Sequence, residues 1–200
     1  ERKISVYNIP SYGENTVAEH TFALILALSR NVHKSYLRTF NQDYSIEGLK
    51  GFDLKGKTLG VIGAGRIGKH VIRIARGFEM NILVSDRHED DFLAEQLNFQ
   101  YVSPDNLLKN SDIVTLHLPL TKENYQMMNK KTFGMMKKGA ILINTARGEL
   151  VNTRDLLEAL DKKVLSGAGL DVIEGEQMIK EEKQLLYEEE NIKVMHQLIQ

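Results

Sequence analysis

The sequence contains no cysteine, which removes disulfides, thiolate metal sites and a cysteine nucleophile, and is compatible with a reducing compartment, the cytoplasm by default. It has no excess of charge either. Twenty-six Lys and Arg stand against 27 Asp and Glu, a net charge of -1, so no global field recruits nucleic acid or an anionic membrane surface. Long hydrophobic runs are also missing. The most apolar stretch, Phe22 to Leu28, is far shorter than the roughly 20 residues a bilayer crossing requires, and Glu19 and His20 precede it directly. The chain starts at Glu1 with no Met and no basic-then-apolar leader, so the true N-terminus is expected to be missing. What is present is ordinary for a globular protein: 200 residues, 42% hydrophobic, enough to bury a full-sized core.

Periodicity gives the order of elements. Ile4, Val6 and Ile9 predict a short strand that stops at Pro10, with Ser11-Tyr12-Gly13 as a turn. Thr16 and Glu19 have capping-box spacing, and the residues up to about Arg30 are apolar on nearly all sides, as in a helix buried in a large structure or between domains. Residues 41–56 are polar and contain glycine, a connecting loop. From Lys57 the pattern is regular. The run Leu59 to Ile62 predicts a strand, and Ile67, Val71, Ile74, Ala75 and Phe78 recur at helical spacing. Ile82 to Val84 predicts a second strand ending at Asp86, and Ser103-Pro104 caps a helix containing Leu107 and Leu108. Strands follow at Ile113 to Leu118, Ala140 to Asn144 and Ser166 to Val172, separated by helices around Lys130 to Met136 and Arg154 to Leu160, with Asn152 and Asp155 as a capping pair. Ile-, Val- and Leu-rich strands alternating with helices predict an α/β fold, a Rossmann-type doubly wound parallel sheet with helices on both faces. Beyond Glu174 the composition shifts to Glu, Lys and Gln, with Leu185, Leu186, Ile192, Met195 and Ile199 on one side of an expected helix.

Gly63-Ala64-Gly65-Arg66-Ile67-Gly68 is a GxGxxG sequence, a weak signal by itself. Here it follows a strand, opens a helix and is followed by Asp86, at about the 20-residue separation of a ribose-binding carboxylate. Gly63 permits the tight turn, Gly65 lets the backbone approach a pyrophosphate, Gly68 allows close helix–strand packing, and the helix N-terminus offers N–H groups to the anion. Asp86 can accept both ribose hydroxyls and would repel the extra phosphate of NADP, so NAD is the expected cofactor. Arg87 is either a partner for that phosphate or a solvated surface charge.

Arg147, in Asn144-Thr145-Ala146-Arg147-Gly148, lies at a carboxyl strand end, where open α/β sheets bind ligands. A guanidinium there either holds a carboxylate bidentately or forms a plain salt bridge. Asp171 ends another strand with Glu174 and Glu176 just beyond, a catalytic pair or a solvated one.

Five ordered motifs bring a family into view. They are Pro10-Ser11-Tyr12-Gly13-Glu14-Asn15 with Val17-Ala18-Glu19-His20, the glycine motif, Ser111-Asp112-Ile113-Val114 running to His117-Leu118-Pro119-Leu120-Thr121, Asn144 to Gly148, and Gly169-Leu170-Asp171-Val172. With these the chain resembles the D-isomer-specific 2-hydroxyacid dehydrogenases, in particular their D-lactate dehydrogenase branch, from Tyr7 to Glu176. The resemblance implies a nucleotide domain inserted between two halves of a substrate domain, most of which is absent, with the active site in the cleft between them. Residues 1–12 are then a remnant of the substrate domain and the crossing from it, 13–176 the NAD-binding domain, and 177–200 a helical, charge-rich segment leading back.

The resemblance further implies that Arg66 and Ile67 contact the pyrophosphate, Asp86 the ribose, and that Leu118, Pro119 and Asn124 line the cofactor groove, with Thr145, Ala146 and Asp171 at its nicotinamide end. Arg147 would hold the substrate's carboxylate and carbonyl, and Glu176 would pair with a catalytic His. Tyr12 falls at a substrate-pocket Tyr of D-lactate dehydrogenases, or packs under the interdomain helix. The implied chemistry is hydride transfer between NAD(H) and a small 2-keto or D-2-hydroxy acid, pyruvate and D-lactate foremost, while His⁺ donates a proton.

The sequence departs from the family at that acid. His196, in Val194-Met195-His196-Gln197, has no preceding Pro and sits in a helical pattern, so it is expected to be an ordinary helix residue with the true acid beyond Gln200. His20 and His117 are expected to be structural or to line the groove. Alternatives within the class are D-3-phosphoglycerate, glyoxylate or hydroxypyruvate as substrate. An alternative of another class is an NAD-sensing corepressor-like module. A homodimer through this domain is implied, with the helix Val17 to Leu28 as its interface or buried within one subunit.

Overall fold

The computed structural model describes Tyr7 and residues 13–175. The expected N-terminal strand, Tyr12, Glu176 and the C-terminal helix with His196 lie outside the described residues. In chain order the elements are α1 (Glu14–Ser29), α2 (Val32–Phe40), β1 (Thr58–Ile62), α3 (Arg66–Gly77), β2 (Asn81–Ser85), α4 (Asp91–Leu97), β3 (Gln100–Tyr101), α5 (Pro104–Asn110), β4 (Ile113–Leu116), α6 (Lys130–Phe133), β5 (Ala140–Asn144), α7 (Thr153–Asp161) and β6 (Leu165–Leu170).

All strand pairings are parallel, in the order β3-β2-β1-β4-β5-β6. That is the doubly wound order, in which the chain first winds outward from β1 and then restarts on its other side at β4. Strand side chains alternate between two cores. Leu59, Val61, Ile113, Ile141 and Ile143 face α1 and α3, packing with Phe22, Ile25, Val71 and Ile72. Ile62, Val114, Leu116 and Leu142 face the other way, onto Leu107, Met128, Phe133 and Leu156. A sheet covered on both faces explains why its central strands are continuous apolar runs, with β5 buried at every position.

Several local expectations are corrected. Gly13, at φ 74°, turns the chain straight into α1, so the helix begins before Thr16 and no side chain caps it; the Thr16–Glu19 capping box does not form. Nor is α1 buried all round. It lies on the sheet through Ala18, Thr21, Phe22, Ile25 and Ser29, with Ala23 on the exposed side. Its contact with the sheet is close because β6 carries glycines: a Cβ on Gly169 would sit 3.0 Å from Leu24 Cβ and 2.9 Å from Ile143 Cδ1.

Helix α6 is one turn, halting at Gly134 rather than running to Met136. The strands predicted over 113–118 and 166–172 end at Leu116 and Leu170, where the neighbouring strands end and ladder partners run out. Besides a 3-10 turn at Gly148–Leu150, three elements were not foreseen. Helix α2 buries nothing, α4 is a short helix capped by Asp90, and β3 is a two-residue edge strand. By contrast, Ser103 and Asn152 accept hydrogen bonds from Asn106 N and Asp155 N, the N-caps their spacing suggests.

Leu142, fully buried mid-sheet, tests the packing. Leu142→Ala should cost about 2–5 kcal/mol in urea-induced unfolding. A loss below about 1 kcal/mol would mean that this core is not packed as described.

Candidate functional site

The chain reverses its winding between β1 and β4, and the crevice outside the carboxyl ends of these strands is where open α/β sheets bind ligands. Gly63 leaves β1 at φ +98°, and a Cβ there would lie 2.5 Å from His117 O and 2.9 Å from Leu118 Cδ2. The glycine turn and the exit of β4 are therefore in direct contact. A Cβ on Gly68 would lie 2.1 Å from Gly63 O, so only glycine lets α3 come this close to the turn. Gly65 differs, because a Cβ there would meet nothing within 4 Å. Its missing side chain leaves an open cradle above the first turn of α3, a helix with no side-chain N-cap. The N–H groups of that first turn, the positive end of the helix dipole and an open cradle together suit a pyrophosphate. Arg66 opens α3 with its Nη1 3.7 Å from Glu14 Oε1, and Ile67 packs against the core beneath.

Asp86 closes one side of the crevice. Its Oδ2 accepts the Ala64 N–H at 2.6 Å and its Oδ1 accepts the His88 N–H at 2.9 Å, so the carboxylate braces the glycine turn. Each oxygen keeps a lone pair able to accept a ribose hydroxyl. Arg87 is exposed beside it.

The other side is formed by the segment after β4. Leu118 is half-buried against Gly63, Pro119 is exposed, and Asn124 ties this loop down by accepting from Thr121 N at 2.7 Å and donating to Pro119 O at 2.8 Å. His117 sits at the floor with its Nε2 3.0 Å from Thr115 Oγ1, and burial lowers its pKa to about 4, so the ring is neutral near pH 7.

At the ends of β5 and β6 a second cluster gathers. Buried Asn144 shapes the turn after β5, donating to Arg147 O at 2.8 Å and accepting from Ala146 N at 3.1 Å. The turn presents Arg147 outward, with its Nη1 2.6 Å from Ala146 O. Thr145 Oγ1 lies 3.0 Å from Thr21 Oγ1, and Asp171 Oδ1 lies 3.3 Å from His20 Nε2.

Glu174, left open above as part of a carboxylate pair, is engaged in structure. It accepts from Tyr125 Oη at 3.2 Å, Gln126 Nε2 at 2.5 Å, and Thr153 N and Oγ1 at 3.3 and 3.2 Å. Its charge raises the Tyr125 pKa. The contacts of His20 and Thr21 were missed from sequence, although His20 closes the quoted Val17-Ala18-Glu19-His20 motif and Thr21 follows it. Their partners are more than 100 residues away, beyond the reach of any local pattern.

The described residues hold no cluster of three His, Cys, Asp or Glu that could bind a metal, and no described helix is long and apolar enough to cross a membrane.

Fold and crevice together define a dinucleotide-binding domain. The chain belongs to the D-isomer specific 2-hydroxyacid dehydrogenase family, matching the model of its NAD binding domain over residues 22–197. It is 40% identical over 176 residues to the D-lactate dehydrogenase of Escherichia coli, covering 88% of this chain and 53% of that protein. It is 41% identical over 189 residues to a glyoxylate reductase of Thermococcus litoralis, covering 91% and 57%. The crystal structure of the Aquifex aeolicus D-lactate dehydrogenase complexed with NAD and lactic acid superposes with a TM-score of 0.87 at 38% identity, covering 96% of this chain and 58% of that one. The chain thus spans about half the length of the curated relatives it matches.

Two glycines separate fold from binding. Gly65→Val should leave thermal stability nearly unchanged and weaken NADH at least about tenfold by filling the cradle, whereas Gly68→Ala should destabilise the domain itself. Equal NADH binding by Gly65→Val would remove the cradle from the site. A pH effect follows from His117. Its folded pKa lies below the ordinary 6.5, so its contribution to stability is full above 6.5 and is lost as pH falls through about 4. Unfolding measured from pH 7 to 4 should show a decline of up to about 3 kcal/mol from this group, absent in His117→Gln. An identical slope in the variant would contradict the assignment.

Proposed function

We propose that the full protein is a cytoplasmic, NAD-dependent oxidoreductase that interconverts a small 2-keto acid and its D-2-hydroxy acid, with pyruvate and D-lactate as the pair. The observation that carries this reading is the outward-facing Arg147 on the same rim as Thr145 and Asp171, at the carboxyl ends of β5 and β6. NADH, when bound, supplies the hydride. The chain's own residues do the rest of the work available to this half of the cleft. Gly65 and the first turn of α3 take the pyrophosphate, with Arg66 beside it. Asp86 takes the adenosine ribose, and Leu118, Pro119 and Asn124 border the groove. Thr145, Ala146 and Asp171 border its nicotinamide end.

Arg147 offers two parallel N–H donors to the substrate carboxylate and the neighbouring carbonyl, fixing which face of the keto carbon meets the ring. Tyr12 and Glu176 complete the proposal from outside the described residues, Glu176 by keeping a catalytic His protonated from beyond Gln200. An exposed Arg147 at the strand end supports an enzyme over a nucleotide sensor. Glyoxylate is the second reading of the substrate, supported by the relative from Thermococcus litoralis.

A second copy of this chain is the proposed protein partner. The proposed interface is the solvent side of α1, open around Ala23, together with α2 and the loop after it. Val32, Tyr36, Leu37, Phe40, Tyr44 and Ile46 are all exposed there. Exposed apolar side chains of this kind suit a symmetric contact. Phe40→Asp should convert a dimer to a monomer in light scattering; a wild-type monomer would refute this interface.

Steady-state kinetics of the full protein with NADH test the chemistry. Pyruvate should be reduced to D-lactate with a higher kcat/KM than glyoxylate, and Arg147→Lys should lower kcat/KM about 100-fold, through roughly 3 kcal/mol of lost charge-assisted hydrogen bonding. No turnover of any 2-keto acid, with NADH still bound, would favour the sensor.

A further inference from the structure

Two consecutive residues of α1 reach the ends of two neighbouring strands. His20 Nε2 lies 3.3 Å from Asp171 Oδ1, just past β6, and Thr21 Oγ1 lies 3.0 Å from Thr145 Oγ1, just past β5. The direction of the second bond can be worked out. Thr21 Oγ1 is 2.9 Å from Val17 O, an acceptor only, so the single Thr21 hydroxyl proton goes there. The proton in the Thr21–Thr145 bond must then come from Thr145. With its own proton so committed, Thr145 Oγ1, in a residue only 8% exposed, has only acceptor capacity left. Asp171 is likewise an acceptor, so His20 must present Nε2–H to it.

We propose that His20 and Thr21 are positioning residues that orient Asp171 and Thr145 as paired acceptors for the carboxamide N–H₂ of a nicotinamide ring. The proposal rests on the reading that this rim is the nicotinamide end of the cleft. It accounts for two features that packing leaves unexplained. Helix α1 is already fastened through Ala18, Phe22 and Ile25, and Thr21 could satisfy its hydroxyl on Val17 O alone. The His20 and Asp171 side chains are 47% and 49% exposed, so their contact adds little to stability and acts mainly by restricting where the carboxylate points.

The ligands that separate this role from a structural one are NADH and ADP-ribose, which share everything except the nicotinamide ring. Affinities are measured by calorimetry on the full protein, as wild type, His20→Ala, His20→Gln, Thr21→Val, Thr21→Ser, Asp171→Asn and the His20→Ala/Asp171→Asn double variant, with thermal unfolding alongside. His20→Ala should weaken NADH by roughly three- to tenfold, the scale of one partly exposed charge-assisted hydrogen bond, and leave ADP-ribose within about twofold. His20→Gln, whose amide can donate to Asp171, should recover most of the loss. The double variant should be no weaker than Asp171→Asn. Thr21→Val should likewise weaken NADH selectively, and Thr21→Ser should restore it. Unchanged NADH affinity in His20→Ala, or an equal loss of ADP-ribose, overturns the positioning role while the nucleotide site stands. A wild type that binds neither ligand overturns the underlying reading and this role with it.

Discussion

As β1 gives way to α3, the chain turns through Gly63 at φ +98°, with its carbonyl oxygen only 2.1 Å from where a Cβ on Gly68 would lie. This backbone-on-backbone contact sets the height of α3 above the sheet, and so the position of its uncapped first turn. Gly63 also touches the peptide after β4, so the same turn fixes the width of the crevice at the point where the winding reverses. Asp86 then locks the turn from the side through Ala64 N. Backbone shape, helix dipole and carboxylate are thus set by one short segment, and the proposed cofactor contacts inherit its rigidity.

A second constraint is exerted by α1. Glycines on β6 let this helix lie against the sheet at side-chain-free distance, and from there its His20 and Thr21 reach the strand ends that border the proposed nicotinamide site. The first described helix therefore contributes to the far end of the crevice, although it precedes the glycine motif by more than 30 residues in the chain. Such non-local closure is what a doubly wound sheet permits, since all its carboxyl strand ends open on one edge.

Much of this was legible in the sequence because the carriers are local. The apolar runs of β1, β4 and β5, the glycine spacing and the caps at Ser103 and Asn152 each act within a few residues. Failures occurred where a neighbour in space decides. Gly13 overrode the Thr16–Glu19 pattern by admitting a left-handed turn, and α6 was cut to one turn at Gly134. Helix α2 was missed because its apolar residues face outward instead of into a core. Glu174, open in sequence between a reactive and a solvated carboxylate, fastens Gln126 and Thr153 in the fold. The roles of Tyr12 and Glu176 are proposals carried by resemblance.

The central claim is that the crevice between β1 and β4 is built for NAD, with Asp86 as its selector. Calorimetric titration of the protein with NADH and then NADPH tests it most directly. NADH should saturate one site per chain, and NADPH should bind at least about tenfold more weakly, because its 2′-phosphate would meet the Asp86 carboxylate. Equal affinity for the two nucleotides, or none for either, would contradict the claim.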